Sequence, residues 1–277
     1  MKLFRIPIAA CLFAALLTGC ATMPQPNPVV TITDPGNETG PITRRGVCVG
    51  LLTTADGTRC PGADVDARTV AGWMADRRVA LVLDAAATVA GVKTQILMAA
   101  YGLMPDDLLS VSFSGHGTQR PDVSGDETDG MDEGLVLFDD VWWDDDMWLF
   151  ICGLPPCRLE LFTDTCHAEG NWRRLGRAIH VAGPRYVQME LDLGDEVRRG
   201  EWEGQLIQNA GCREESYSYG IEGYGGTWTQ TLDDKRVAGI SRLEWFEAAK
   251  AEMPANQEPV FATYNASEAF INGEALR

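Results

Sequence analysis

"VALVLDAAATVAGVKTQILMAAYGLMPDDLLSVSFSG", residues 79 to 115, reads as strand, helix, strand. "VALVLD" (79–84) and "LLSVSFSG" (108–115) are short apolar runs, whereas Thr88 to Tyr101 repeats at helical spacing and is capped by Gly102. Upstream, "GVCVGLL" (46–52) is another buried strand, and Asp64 to Arg77 a helix with Val65, Thr69 and Trp73 on one face. This βαβαβ order predicts an α/β domain with a mostly parallel central sheet flanked by helices on both faces.

Downstream lie an acidic loop (122–134), a short strand "LVLF" (135–138) and a Trp- and Asp-rich segment predicted to be helical. Strands follow at 158–163 and in "YVQMEL" (186–191), then a polar linker (192–204) and a strand "QLIQNAG" (205–211). A helix (241–253) and a strand (259–265) close the pattern. No repeat divides residues 46–277, which are expected to form one domain.

The first 19 residues carry a positive start (Lys2, Arg5), an apolar stretch too short to span a bilayer, and small residues before Cys20. Leu17-Thr18-Gly19-Cys20 is similar to the bacterial lipobox, which implies acylation of Cys20, export, and anchoring in the outer membrane of a Gram-negative cell. Residues 20–45, rich in Pro, Thr, Asn and Gly, are expected to be a flexible tether. Taking Lys2 and Arg5 from 23 basic residues leaves 21 against 40 acidic ones, a formal charge of −19. Such a chain is unsuited to nucleic acid, whose binding needs basic side chains to displace counterions. Basic substrates and cations suit it better. Six of eight cysteines lie beyond Cys20, and their pairing is not legible.

The chemistry concentrates at two strand ends. Strand 108–114 runs into Gly115-His116-Gly117, and strand 158–163 into Asp164-Thr165-Cys166-His167. In doubly wound sheets ligands gather beyond the carboxyl ends of the strands. Neighbouring strands would bring the His116 imidazole and the Cys166 thiol together there. A thiol needs such a partner, because the thiolate is the nucleophile and an unassisted cysteine is mostly protonated at neutral pH. His167 is a poorer partner, since adjacent residues near a strand end project oppositely.

"SVSFSGHGTQ" (110–119) and "ELFTDTCHAEG" (160–170), 50 residues apart from His116 to Cys166, resemble the caspase-like cysteine peptidases and, within them, the metacaspases. "PGADVDA" (61–67), "GDETDGMDE" (125–133) and residues 209–232 add to the resemblance. It implies a caspase-haemoglobinase-like fold and an endopeptidase cutting after Arg or Lys. Cys166 would be the nucleophile, His116 the general acid/base, and the amides of Gly117 and Cys166 the oxyanion donors. Asp66, Ser114 and Asp164 would line an acidic pocket suited to a guanidinium.

The resemblance further implies an activating calcium ion, not required for the chemistry, held by Asp132 and a pair drawn from Asp144, Asp145 and Asp146. The sequence departs from the family at Arg173, where a further aspartate is usual, and at Thr165, where a second cysteine is common. The resemblance makes Arg198-Arg199 the candidate processing site, with an ordinary exposed arginine pair as the alternative, and the working form is expected to be a monomer acting on peptides or proteins. Two alternatives stand beside this reading. One is a catalytically silent lipoprotein using the fold for binding. The other is a metallohydrolase built on His116, Asp129, Asp132 and His167, which lacks the close ligand pairs such sites show.

Overall fold

The computed structural model describes residues 29–36, 40–125, 127, 130–166, 178–180, 187–188, 202–213 and 217–276. In chain order the first elements are β1 (Val29–Thr33), β2 (Arg44–Gly50), α1 (Ala63–Trp73), β3 (Arg78–Leu83), α2 (Val89–Ala100), β4 (Leu108–Ser114), β5 (Gly117–Pro121), β6 (Met131–Val136), β7 (Val141–Trp143) and α3 (Asp144–Cys152). The chain continues through β8 (Arg158–Asp164), β9 (Ala178–His180), β10 (Val187–Gln188), β11 (Gln205–Ala210), β12 (Gly220–Ile221), β13 (Gly225–Gly226), α4 (Thr227–Lys235), α5 (Arg242–Lys250), β14 (Val260–Tyr264) and α6 (Glu268–Ile271).

Nine strands form the main sheet in the order β1-β3-β2-β4-β8-β11-β14-β9-β10. The centre, β3-β2-β4-β8-β11, is parallel throughout, and antiparallel strands close both edges. Its central strands are buried on both faces, between two helical layers. Val47, Val49, Leu109, Val111, Leu159 and Leu161 meet α2 and α3 through Val92, Ile96, Met147 and Ile151. On the opposite face, Cys48, Phe162, Ile207 and Phe261 meet α1, α4 and α5 through Val70, Trp73, Trp228 and Phe246. Burying each of these large side chains contributes about 1.5–3 kcal/mol.

The strand period of two decides what the second face shows. In β4, Ser110, Ser112 and Ser114 fall between the apolar Leu109, Val111 and Phe113, and in β8 Glu160 and Asp164 share the alternation with Phe162. Glu160 is balanced inside the protein by the equally buried Arg242, 3.2 Å away. Removing one partner of such a pair costs about 3–5 kcal/mol. Asp164 is not used in this way.

Three features differ from the sequence expectations. The tether is shorter than 20–45, because Val29–Thr33 pairs antiparallel with β3; this β-branched run completes an edge that would otherwise expose unpaired backbone groups. Residues 117–143 form a separate three-stranded sheet, β5-β6-β7. Thr227–Lys235, to which the sequence reading assigned no helix, is the helix α4. Among the described residues no helix is long and apolar enough to cross a membrane. The expected signal, Cys20, His167, Asp129, Arg173 and Arg198-Arg199 lie outside the described residues.

Candidate active site

Strands β4 and β8 are direct parallel neighbours in a register that sets Ser114 opposite Asp164. Two residues past that pair stand His116 and Cys166, both half-buried on the same rim. The two chain segments stay close beyond the strands. Gly115 donates its backbone N–H to the Asp164 carbonyl at 3.4 Å, and a Cβ on Gly117 would lie 1.9 Å from the Cys166 carbonyl oxygen. No side chain larger than hydrogen fits at 117, so the glycine after the histidine permits the approach of the cysteine's strand.

The imidazole is oriented by the loop before α1. His116 Nε2 lies 2.9 Å from the Arg59 carbonyl oxygen. A carbonyl only accepts, so Nε2 carries the proton and Nδ1 keeps the lone pair. Burial pushes the Cys166 thiol above its ordinary value, a backbone contact at Ser218 pulls it back, and the Asp164 carboxylate raises it again. Cys166 is therefore a neutral thiol, 3.9 Å from the Ser218 carbonyl oxygen. Next to Arg59, Cys60 is a second thiol of this region, pushed up to about 12 by burial and by the charges of Asp164, Cys166 and Asp66.

Beneath the rim, Asp66 from the first turn of α1 and Asp164 from the end of β8 converge, buried at 2% and 7% exposure. Asp66 accepts from Ser114 Oγ at 2.7 Å, from the Gly226 N–H at 2.8 Å and from Gln230 Nε2 at 3.3 Å. Asp164 accepts from Ser218 Oγ and from both the N–H and Oγ1 of Thr229, the latter two at 2.9 and 2.8 Å. Burial first, and the facing Asp164 charge second, push Asp66 up to about 7; burial raises Asp164 as well. Two acids this close cannot both stay ionised cheaply without a cation. Around them, Ser112, Phe162, Trp73, Trp228 and Leu232 line a small cavity under the strand ends.

The backbone is shaped to admit this pair. A Cβ on Gly226 would lie 2.2 Å from Asp164 Oδ2 and 2.9 Å from Asp66 Oδ2, and one on Gly225 would lie 2.4 Å from Asp66 Oδ1. Gly62, which precedes α1 with φ 94°, is equally constrained, since its Cβ would meet Gly225 Cα at 2.8 Å. The structure thus brings together His116, Cys166, Gly117, Asp66, Ser114 and Asp164. Sequence reasoning missed Cys60, Ser218, Gly225, Gly226, Thr229, Gln230 and Gln257. Of these, only the tandem glycines before "TWTQ" carried a visible signal.

The acidic loop is arranged differently from the expected calcium set. Asp132 is buried and engaged by Arg120 at 2.8 Å, whose guanidinium lies 4.0 Å from the Trp143 ring centre. Asp144, Asp145 and Asp146 are consecutive in the first turn of α3, so they diverge, and they run from buried to exposed. The ligand atoms that converge among the described residues belong to Glu127, Glu133 and Asp144, within 4.8 Å of one another. Of the four aspartates expected, Asp144 alone belongs to that cluster. Burial, Glu127, Asp132 and Asp145 push it up to about 9, against a backbone hydrogen bond at Asp145.

A thiol and an imidazole past adjacent strand ends, over a buried acid pair, give this α/β protein a candidate nucleophile and a candidate base. The comparisons bear on which kind. The chain is 37% identical over 112 residues to metacaspase-1 of Yarrowia lipolytica, covering 36% of this chain and 22% of that protein. It is 31% identical over 143 residues to metacaspase-1 of Cryptococcus neoformans, covering 45% of this chain and 31% of that protein. The chain thus spans under a third of the length of these relatives. A crystal structure of protein GSU0716 from Geobacter sulfurreducens has the same fold, with a TM-score of 0.67 at 24% identity over 84% of this chain and 98% of that one. No family model matches. The chain shares its fold with the Geobacter protein and is similar to metacaspases over the matched stretches.

Proposed function

We propose that this chain is a cysteine endopeptidase that hydrolyses peptide bonds after Arg or Lys. The observation that supports the reading is the β4–β8 register, which pairs Ser114 with Asp164, two residues before His116 and Cys166, above the buried Asp66 and Asp164. An arginine side chain entering the pocket would meet two carboxylates whose other lone pairs are already held by Ser114, Ser218, Thr229 and Gly226. Its guanidinium fits a carboxylate through paired charge-assisted hydrogen bonds, and its charge draws the shared proton off the pair.

With the substrate seated, His116 Nδ1 takes the thiol proton and Cys166 Sγ attacks the carbonyl carbon. Negative charge on the carbonyl oxygen is met by the amides of Gly117 and Cys166. The imidazolium, held by the Arg59 carbonyl, passes its proton to the leaving amine, and a thioester forms at Sγ. Water activated by the same imidazole releases the acid and restores the thiol.

Calcium belongs to this proposal as an activator. Asp144 Oδ1 is a buried oxygen without a hydrogen-bond partner, and oxygen donors of this kind suit a hard cation. Glu127, Glu133 and Asp144 would hold it, and it would supply charge neutralisation beside β5-β6-β7, the sheet that begins at Gly117. Lipidation at Cys20 and outer-membrane anchoring complete the reading.

The test is hydrolysis of short fluorogenic peptides ending in Arg, Lys or Asp by the full-length chain in mild detergent, with and without calcium, alongside Cys166→Ala. Turnover of the Arg and Lys peptides that vanishes in the variant supports the proposal. Equal activity of the variant, or preference for Asp, refutes it.

A further inference from the structure

Behind the acid pair, on the side away from α1, lies a buried amide that the mechanism does not use. Gln257 is 2% exposed and sits in the turn between α5 and β14, where its N–H bonds to the Pro254 carbonyl at 2.9 Å. Its Nε2 donates to the Gly211 carbonyl at 3.0 Å and to Ser218 Oγ at 2.9 Å. The orientation follows from the partners: Gly211 O can only accept, so the amide nitrogen must face it. Both Nε2 protons are then spent. Among the described residues Oε1 is left buried without a hydrogen-bond partner.

What this arrangement controls is the direction of one hydroxyl. Ser218 Oγ accepts from Gln257, so its single proton is free to point the other way, at Asp164 Oδ1. The same residue presents its carbonyl oxygen to Cys166 Sγ. One serine therefore touches both the base of the acidic pocket and the candidate nucleophile, and one glutamine sets how it is turned.

We infer that Gln257 is a positioning residue for the basic-substrate pocket: it orients the Ser218 hydroxyl toward Asp164 and thereby holds that carboxylate ready for a guanidinium. The inference rests on the peptidase reading for its biological meaning, and on the hydrogen bonds of Gln257 and Ser218 for its substance. Asp164 faces Asp66 from α1, Cys60 from the preceding loop and Cys166 on its own strand end, and its charge raises all three, while burial raises Asp164 itself. The hydroxyl of Ser218 and the two donors of Thr229 act in the opposite direction. Losing the Ser218 proton raises the pH at which Asp164 ionises, so binding of a guanidinium should fail at the acid end first.

The test uses the full-length chain in detergent and three variants: Gln257→Met, similar in shape without the donors; Gln257→Glu, which offers acceptors where donors stood; and Ser218→Ala. Two readouts are taken across pH 5 to 9, the KM and kcat for an Arg-terminated peptide and the Kd for agmatine by calorimetry. Gln257→Met should raise KM and the agmatine Kd about tenfold, in line with a lost hydrogen bond to a charged group, with kcat within about threefold. The acid limb of binding should move to higher pH, further in Gln257→Glu. Adding Ser218→Ala to Gln257→Met should change nothing more. A glutamine that merely packs would lower the melting temperature and leave the agmatine Kd and the acid limb in place, which would overturn the inference. So would additive effects of the two substitutions, or a wild-type chain that does not bind agmatine. A wild-type chain that binds agmatine but hydrolyses no peptide would instead sink the peptidase reading, with the positioning role still decided by the Kd.

Discussion

Two acidic regions of this protein are built on opposite plans. Under the strand ends, Asp66 and Asp164 are each met by hydrogen-bond donors: a serine and a backbone N–H for one, a serine and the donors of Thr229 for the other. Beside β6 and α3, Glu127, Glu133 and Asp144 crowd together, and Asp144 keeps a buried oxygen with no donor among the described residues. The first is preorganised in geometry, its carboxylate oxygens oriented by donors before any ligand arrives, although burial still raises both acids. The second has to hold a proton or take up a cation. A pocket that discriminates substrates on every turnover benefits from the first plan, and a site that responds to its surroundings benefits from the second.

The comparison can be broken most decisively at the rim above the first region. His116→Ala or Cys166→Ala should cut kcat/KM for Arg peptides about 10⁴-fold or more, measured by progress curves, while agmatine still binds. In the pocket itself, Asp164→Asn should raise KM for Arg peptides about 100-fold, because a bidentate charge-assisted contact is lost and three donors are left facing an amide. Gly226→Ala should do comparable damage, since its Cβ would sit 2.2 Å from Asp164 Oδ2. Gly72→Ala is the control: it lies within α1 with nothing within 4 Å of the new methyl, and should stabilise by about 0.5–1 kcal/mol without touching KM.

The smallest effects belong to the second region and concern stability. The folded protein holds protons on Asp66 to about pH 7 and on Asp144 to about pH 9, whereas unfolded carboxylates release theirs near pH 4. The folded state therefore binds more protons through this window, and stability is greatest below it and falls as pH rises through it. The melting temperature should decline between pH 5 and 9. Calcium, or Asp144→Asn, should flatten the upper part of that decline by a few degrees, while EDTA restores it only in the unmodified protein. A melting curve equally pH-dependent in Asp144→Asn would detach the second region from this account.

The sequence carried the sheet centre and the two strand ends because both are local: apolar runs of strand length, then a glycine, histidine or cysteine where the run stops. It carried Asp66, Ser114 and Asp164 as well, through short motifs attached to those ends. It hid what depends on distant chain. Gly226 donates to Asp66 from 160 residues away, and no periodicity links them. The helix α4 escaped because its N-cap is Gly226, without a capping side chain, and "TWTQT" is rich in β-branched residues that read as loop or strand. Val29–Thr33 was masked by the prolines and asparagines around it, although its own residues are strand formers. In the acidic loop composition was a poor guide to geometry, because neighbouring aspartates on a helix turn point apart while Glu127 and Glu133 point together with Asp144.

The most direct measurement is covalent trapping. The full-length chain is treated with an acyloxymethyl ketone carrying an Arg-terminated peptide, in parallel with the Asp-terminated form, and the adduct is mapped by peptide mass spectrometry. The account predicts one adduct, on Cys166, formed with the Arg reagent, suppressed by agmatine and abolished by His116→Ala. Labelling of Cys60 in place of Cys166, or equal labelling by the Asp reagent, would contradict it.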